Sequence, residues 1–239
     1  MEAVSRPSCE SLPQRDLALL GLLRREPVLA GTFGSWTEVA ALAVRQGVAS
    51  LLQRGLATGG ALARMPDSVL KSLADERRAT ALENLRYYGE FRRIARALSG
   101  QGITSIALKG LHLSELVYRD ISLRPMCDMD ILVRHRDLEC TVALLQDMGY
   151  GRGEDISGTA ATMIGTKCNV GLRHRSSGIW LEVHWDIAEA SKQYVPPVDD
   201  IWSSAVPARL GDADTLVMSP EFLLLHVCAH LALNHTFLF

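Results

Sequence analysis

Two acidic residues, Asp128 and Asp130, lie two positions apart at the start of an apolar run that ends at Val133. Successive side chains of a β-strand point to opposite faces, so a strand here presents both carboxylates on one face. Two oxygen ligands on one rigid strand suit the binding of a hard divalent cation. A DxD pair alone is common, however, and it also occurs where two acids only cap or solvate the start of a strand.

A third carboxylate lies further along the chain, in the segment LEVHWDI. Alternation places Glu182, His184 and Asp186 on one face of a second predicted strand. If that strand lies beside the first and faces the same way, Glu182 completes a site that holds two metal ions for in-line phosphoryl transfer. His184 shares this face, where it either contacts a phosphate or the acceptor, or supports a metal ligand.

Candidate phosphate-binding residues precede the acidic pair. Lys109 and Gly110 end one apolar run and begin a helical segment, where glycine permits close backbone approach and free helix amides favour phosphate. The lysine adds a point charge, although an ordinary strand-to-helix turn with a surface lysine has the same pattern. Arg124 comes directly before a proline that restricts the backbone, so its guanidinium could face a triphosphate. The alternative is that Arg124 is a surface residue that forms an ion pair with Asp120 or Asp128.

The remaining histidines and cysteines indicate no separate site. His226 and His230 are four residues apart and share a helix face. A zinc site needs further ligands that the sequence does not place nearby, so we expect both rings to pack in a helical layer. The cysteines are odd in number and form no CxxC pair, which indicates reduced thiols in a cytoplasmic protein. They are Cys9, Cys127, Cys140, Cys168 and Cys228.

The elements around these residues predict an α+β fold with a small mixed sheet. Helical periodicity covers residues 14–98, and alternating strands and helices begin near Ile103. We expect helices on one face of the sheet, a loop over 151–165 and irregular structure with short elements over 198–218. Strands are predicted at 103–108, 128–134, 167–173 and 179–187, and helices at 111–119, 136–148 and 221–233.

Composition restricts the class of protein. The chain has 239 residues, 48% hydrophobic and 22% charged, as in ordinary globular proteins. Its net charge of -2 argues against a broad basic surface that binds nucleic acid or an acidic membrane. The charge is compatible only with a local basic patch. No apolar stretch is long enough to cross a bilayer, and the N-terminus lacks the order of a signal peptide.

The linked pattern KG, RP, DMDILV, GY and LEVHW resembles the uncharacterised nucleotidyltransferase family within the DNA polymerase β-like superfamily. The resemblance extends over most of the chain, including the late helix LLLHVCAH. It implies a small mixed sheet with a phosphate-holding turn and two magnesium ions. It also implies that Asp128, Asp130 and Glu182 are the metal ligands, with Glu182 activating the acceptor. Lys109 and Gly110 stand where the superfamily more often has Gly-Ser.

The resemblance also predicts how the chain is divided. We expect a helical N-terminal region over 1–99, a nucleotidyltransferase-like catalytic core over 100–195, and a helical C-terminal segment over 196–239. The last segment stops within an apolar stretch, and members of the family usually continue further. We therefore expect this chain to be a fragment of a longer protein.

The predicted function is a cytoplasmic, metal-dependent nucleotidyltransferase that moves an NMP from an NTP to an unidentified acceptor and releases pyrophosphate. ATP is the expected donor, and two Mg²⁺ ions are the expected cofactors, with Mn²⁺ as an alternative. Two other functions remain open. One is a non-catalytic nucleotide-binding or regulatory module of the same fold, and the other is a kinase-like enzyme that uses the same metals. The predicted nucleotide-binding residues are Lys109, Gly110, Arg124 and His184.

Overall fold

The protein forms two compact units in a computed structural model. The first comprises residues 1–82 and 122–125, and the second comprises residues 83–121 and 126–239. The three-part division expected from the sequence, with boundaries at 99 and 195, stays a prediction. The structure describes residues 14–24, 35–58, 65–152, 168–187 and 196–234.

The first unit is helical, as the apolar periodicity predicts. The side chain of Ser35 caps α2 by accepting a hydrogen bond from the Thr37 amide at 3.2 Å. Gly47, at φ +65°, separates α2 from α3, since this left-handed conformation suits glycine. A core that includes the fully buried Val39, Leu52 and Leu73 holds the helices together. The helices are α1 (Gln14–Leu23), α2 (Trp36–Arg45), α3 (Ala49–Thr58) and the first part of α4 (Asp67–Gly100).

The described residues of the second unit contain a seven-stranded mixed sheet in the order β3-β4-β5-β2-β1-β7-β6. Two pairs of neighbours, β2 with β5 and β1 with β7, run parallel, and the other pairs are antiparallel. The predicted α+β class with a small mixed sheet is confirmed. The strands are β1 (Ser105–Ala107), β2 (Met129–Val133), β3 (Tyr150–Arg152), β4 (Asn169–His174), β5 (Trp180–His184), β6 (Val206–Leu210) and β7 (Ala213–Val217).

Helices cover both faces of this sheet, so the expectation of helices on one face only is wrong. On one face, Phe91 of α4 packs in a core with Ile131 and Val183. On the other face, Leu132 packs in a core that includes Trp202 of α7. The remaining helices are α5 (Lys109–His112), which continues as a π-helical turn (Leu113–Val117), α6 (Leu138–Asp147) after a 3₁₀ turn (His135–Asp137), α7 (Val198–Ser204) and α8 (Pro220–Asn234).

The sequence also missed three strands. β3 includes the first two residues of the predicted loop, 151 and 152, and it begins at Tyr150, whose side chain is fully buried and whose hydroxyl donates to Glu90 at 3.0 Å. The strands β6 and β7 form a hairpin where irregular structure was expected, with positive φ angles at Gly211 and Asp212. Most of the predicted loop over 151–165, and the apolar residues after Asn234, lie outside the described residues.

The long helix α4 holds the segment that leads into β2. The Asn84 side chain accepts a hydrogen bond from the Met126 amide at 3.2 Å and donates to the Ile121 carbonyl at 2.5 Å. Tyr87 donates its hydroxyl to the Cys127 carbonyl at 2.8 Å. These contacts place the start of β2 against a rigid helix. No helix among the described residues is both long and apolar enough to cross a membrane.

The close packing of Gly171 in β4 against Trp180 in β5 leads to a testable prediction. A Cβ atom placed on Gly171 would overlap the Trp180 ring at Cζ2 and lie 3.2 Å from Cε2. Overpacking of this kind typically costs 1–3 kcal/mol. We therefore expect Gly171→Ala to lower the free energy of unfolding by about 1–3 kcal/mol, measured by urea denaturation with tryptophan fluorescence.

Gly89→Ala is the matched control for that substitution. A Cβ atom on Gly89 meets no other atom within 4 Å, and the residue lies inside α4. Alanine is more favourable than glycine in a helix interior by about 1 kcal/mol. The control should therefore keep or increase stability. Equal stability of the Gly171→Ala variant and the wild type would show that Trp180 is not packed as described.

Candidate functional site

The parallel pairing of β2 with β5 brings two of the predicted acids together. Asp130 pairs with Glu182, and Leu132 pairs with His184, so the side chains at these positions share one face of the sheet. The side chains of Asp130, Glu182 and His184 each offer a ligand atom, and these atoms all lie within 4.8 Å of one another. We call these three residues together with Lys109 the acid–base cluster.

Short contacts join the four side chains of the acid–base cluster. Nε2 of His184 lies 2.9 Å from Oδ1 of Asp130 and 3.2 Å from Oε2 of Glu182. Nζ of Lys109 lies 2.6 Å from the same Asp130 oxygen and 3.7 Å from the same Glu182 oxygen. Asn169 in β4 also donates its amide to Glu182, at 2.9 Å. Two carboxylates from adjacent strands therefore share two nitrogen cations.

Lys109 reaches the cluster from the turn between β1 and α5. The amide of Leu108 donates to the Asp130 carbonyl at 3.0 Å, which holds the end of β1 beside β2. Lys109 itself has φ +37°, a left-handed conformation that is unusual for a lysine. Backbone strain of this kind persists where the surroundings enforce it, and it is frequent at functional sites. Gly110 is buried in the first turn of α5.

Burial differs between the two acids. The Asp130 side chain is fully buried, whereas 25% of the Glu182 side chain is exposed. Oδ2 of Asp130 has no hydrogen-bond partner among the described residues. A buried carboxylate oxygen without a donor is costly, and a bound cation would satisfy it. Two carboxylates are also a donor set that hard divalent metals accept, so Asp130 and Glu182 fit a metal ion.

The contacts within the cluster shift its protonation. Burial alone would raise the pKa of Asp130, but the hydrogen bonds and charges of His184 and Lys109 hold this pKa well below its usual range. The hydrogen bond from His184 also lowers the pKa of Glu182. Burial opposes the charged forms of His184 and Lys109, yet the neighbouring carboxylates raise the pKa of both. At neutral pH the cluster therefore holds two anions and two cations.

His226 on α8 interacts electrostatically with the charged groups of the acid–base cluster. Its side chain is buried, and its Nε2 atom has no hydrogen-bond partner among the described residues. Burial is the main cause that lowers its pKa to about 3, and the positive charges of Lys109 and His184 act in the same direction. The rings of His226 and His230 lie 6.5 Å apart. Within the described part of the chain, neither histidine belongs to a group of converging metal ligands.

Not every predicted residue joins the cluster. Asp128 is half-buried just before β2, and its charge contributes to the raised pKa of Lys109. It does not belong to the converging group of Asp130, Glu182 and His184. Arg124 lies in the segment 122–125, which belongs to the first unit, so its role in phosphate binding stays a prediction from the sequence.

Two residues near the cluster had no role assigned from the sequence. Asn169 lies opposite His184 in the β4–β5 register, which explains how it reaches Glu182. The sequence places Asn169 on a predicted strand, but alternation alone does not reveal which strand pairs with it. His226 was expected only to pack in a helical layer, because helix periodicity gives no sign of the charges opposite.

The depressed pKa of His226 predicts how stability responds to acid. The unfolded chain takes up this proton near pH 6.5, whereas the folded chain does not until about pH 3. His226 therefore contributes to stability above pH 6.5, and this contribution is lost as the pH falls toward 3. His226→Gln should reduce the acid-dependent loss in unfolding free energy by about 1 kcal/mol per pH unit. Urea denaturation at a series of pH values measures this.

The exposed residue His135 provides the control for that experiment. His135→Gln makes the same substitution at an exposed ring, so it controls for the exchange of histidine for glutamine itself. If both variants had the same acid profile as the wild type, His226 would not be the buried neutral imidazole described above.

Comparisons with known proteins identify the family of the chain. The model of a family described as uncharacterised nucleotidyltransferases matches residues 34–239. A solved structure from Thermotoga maritima, provisionally assigned as a nucleotidyltransferase, is 17% identical with a TM-score of 0.45, and the likeness covers 64% of this chain and 87% of that one. No curated protein matches the sequence. Because the family match includes most of the chain and all four residues of the acid–base cluster, the chain belongs to the uncharacterised nucleotidyltransferase family.

Proposed function

We propose that this chain is a metal-dependent nucleotidyltransferase that moves an NMP from an NTP to an acceptor and releases pyrophosphate. One observation carries the proposal. Asp130 and Glu182 face each other from adjacent parallel strands, and their carboxylates lie close enough to share the same two nitrogen atoms. The fully buried Asp130 keeps one oxygen without a partner among the described residues, and this oxygen is suited to a cation.

In this proposal Asp130 and Glu182 are the central metal ligands. Asp128, which lies just before β2, is the third acid, and His184 holds the two central carboxylates at a constant spacing. Two Mg²⁺ ions are the expected cofactors, and Mn²⁺ also suits this set of ligands. When bound, the divalent metal neutralises phosphate oxygens and polarises the phosphorus for in-line displacement.

Lys109 and Gly110 are the proposed contacts to the triphosphate. The ammonium of Lys109 carries its charge within the cluster, and 13% of the side chain is exposed. Gly110 is the second residue of α5, without a side chain to obstruct the phosphates. A lysine on a flexible stem binds phosphate oxygens as a point charge. These two residues therefore hold the donor while the acids hold the metal.

The reaction forms one bond and breaks another at the α-phosphorus. An oxygen of the acceptor attacks this phosphorus, and the bond to the oxygen that bridges to the β-phosphate breaks. That oxygen leaves with the electron pair as part of pyrophosphate. Glu182 is the more exposed of the two central acids and is ionised, so it can accept a hydrogen bond from the acceptor hydroxyl and receive its proton.

The remaining parts of the proposal concern the donor and the compartment. ATP is the first donor to test, and the proposed phosphate contacts set no preference among the bases. The four cysteines among the described residues are unpaired thiols. Unpaired thiols are usual in reducing compartments, and we include a cytoplasmic location in the proposal.

Removing one carboxylate charge tests the metal ligands. We expect Asp130→Asn and Glu182→Gln each to lower turnover about a hundredfold or more, because each removes a charge that positions the metal against the phosphates. Both variants should also bind Mg·ATP more weakly in calorimetry. Asp147→Asn, which changes an exposed acid at the end of α6, should behave as the wild type does. Unchanged Mg·ATP affinity in both site variants would contradict the assignment.

The mass of the product tests the reaction class. The protein is incubated with Mg²⁺ and each of ATP, CTP, GTP and UTP in a cell extract, and products are searched by mass spectrometry. Addition of an NMP with release of pyrophosphate is the expected result. Addition of a single phosphate would instead show a kinase-like reaction. Binding of Mg·NTP without any product would show a non-catalytic nucleotide-binding module.

A further inference from the structure

Lys109 contacts both acids that the proposed function assigns to the metal. Its ammonium lies 2.6 Å from Oδ1 of Asp130 and 3.7 Å from Oε2 of Glu182. These two oxygens come from different strands, so the ammonium links β2 to β5 as a bound cation would. Lys109 is therefore more than a surface charge near a phosphate site, because it neutralises the carboxylates directly.

The backbone keeps this ammonium close to the acids. The hydrogen bond from the Leu108 amide to the Asp130 carbonyl, 3.0 Å long, anchors the residue before Lys109 on the backbone of Asp130 itself. A tethered group has a high effective concentration at its partner. Rotations along the four-carbon side chain are sufficient to move the ammonium away from the carboxylates, because the side chain is long and flexible.

A free divalent cation therefore meets acids whose charge is already balanced. Lys109 and His184 both contact Oδ1 of Asp130, and both lie near Oε2 of Glu182. Positive charges at these distances repel an incoming metal ion and occupy the oxygens that it needs. Oδ2 of Asp130 is buried and has no hydrogen-bond partner among the described residues. One free oxygen alone binds a divalent cation weakly.

We propose that Lys109 is an internal cation that competes with free divalent metal for Asp130 and Glu182, so that the site accepts its metal together with a polyphosphate. This inference rests on the proposed function. A polyphosphate offers the ammonium new oxygen partners, so Lys109 leaves the carboxylates when the polyphosphate binds. The released carboxylate oxygens then take the metal. By linkage, polyphosphate and metal each raise the affinity for the other.

Calorimetry on the wild-type chain tests the coupling directly. Free Mn²⁺ is titrated into the protein in one experiment, and preformed Mn²⁺·tripolyphosphate in the other. Tripolyphosphate carries the phosphate chain without a base or a reactive acceptor. We expect the complex to bind at least about tenfold more tightly than free Mn²⁺, because only the complex draws Lys109 away from Asp130. Electron paramagnetic resonance of Mn²⁺ confirms the bound fraction independently.

Substitutions of Lys109 separate charge from shape. Lys109→Met and Lys109→Gln remove the charge, and each should strengthen the binding of free Mn²⁺ by about tenfold while weakening that of the complex. Lys109→Arg keeps the charge and should keep the discrimination against free Mn²⁺. Lys71→Met, which removes an exposed lysine of α4, should change neither affinity. Circular dichroism shows which variants are folded, and the wild-type titrations do not depend on any variant.

Two results would overturn the inference without affecting the proposed function. One is wild-type protein that binds free Mn²⁺ as tightly as the complex, and the other is a folded Lys109→Met variant with unchanged affinity for free Mn²⁺. Failure of the proposed function has a different signature. In that case neither free Mn²⁺ nor Mn²⁺·tripolyphosphate binds to the wild type or to any folded variant, and both proposals fail together.

Discussion

The parallel pairing of β2 with β5 is the constraint on which the site depends. It sets Asp130 opposite Glu182, and it does so between two strands whose other faces belong to the main hydrophobic core. Backbone hydrogen bonds and buried apolar side chains therefore determine how far apart the two carboxylates lie. A slip of one residue in this register would turn one of the two acids into the core. Apolar packing, which takes no part in the reaction, therefore fixes the spacing of the two carboxylates.

Electrostatic balance is the second condition that the fold must meet. Burying two carboxylates without partners is prohibitively unfavourable, and the chain places Lys109 and His184 against them. The pairing leaves the acids ionised, as their lowered pKa values show. The neutral His226 on α8 adds a buried polar group without adding charge. The result is a set of ionised acids that the protein can maintain before any ligand arrives.

Sequence patterns predicted which residues form the site and which strand face they share. They did not predict which strands and side chains lie beside these residues. The alternation of Glu182 and His184 has a period that only a strand explains, and the structure agrees. The parallel neighbour of that strand is not encoded in any local pattern, and neither is the reach of Asn169 to Glu182, which depends on strand register. The β6–β7 hairpin was missed because its residues show no regular alternation of buried and exposed positions. Lys109 was assigned to phosphate alone, since a sequence shows a charge but not the acids beside it.

The position of β7 next to β1 has a consequence for how the molecule is made. β1 has only three residues and ends just before the turn that carries Lys109, and its neighbours are β2 on one side and β7 on the other. Until β7 has been synthesised, β1 is an edge strand with unpaired backbone groups on one side. A nascent chain that has just completed β5 already contains every residue of the acid–base cluster, yet it lacks β7, which pairs with Ile106 and Ala107 of β1. The sheet around the site is therefore completed only after all four residues of the cluster have been synthesised.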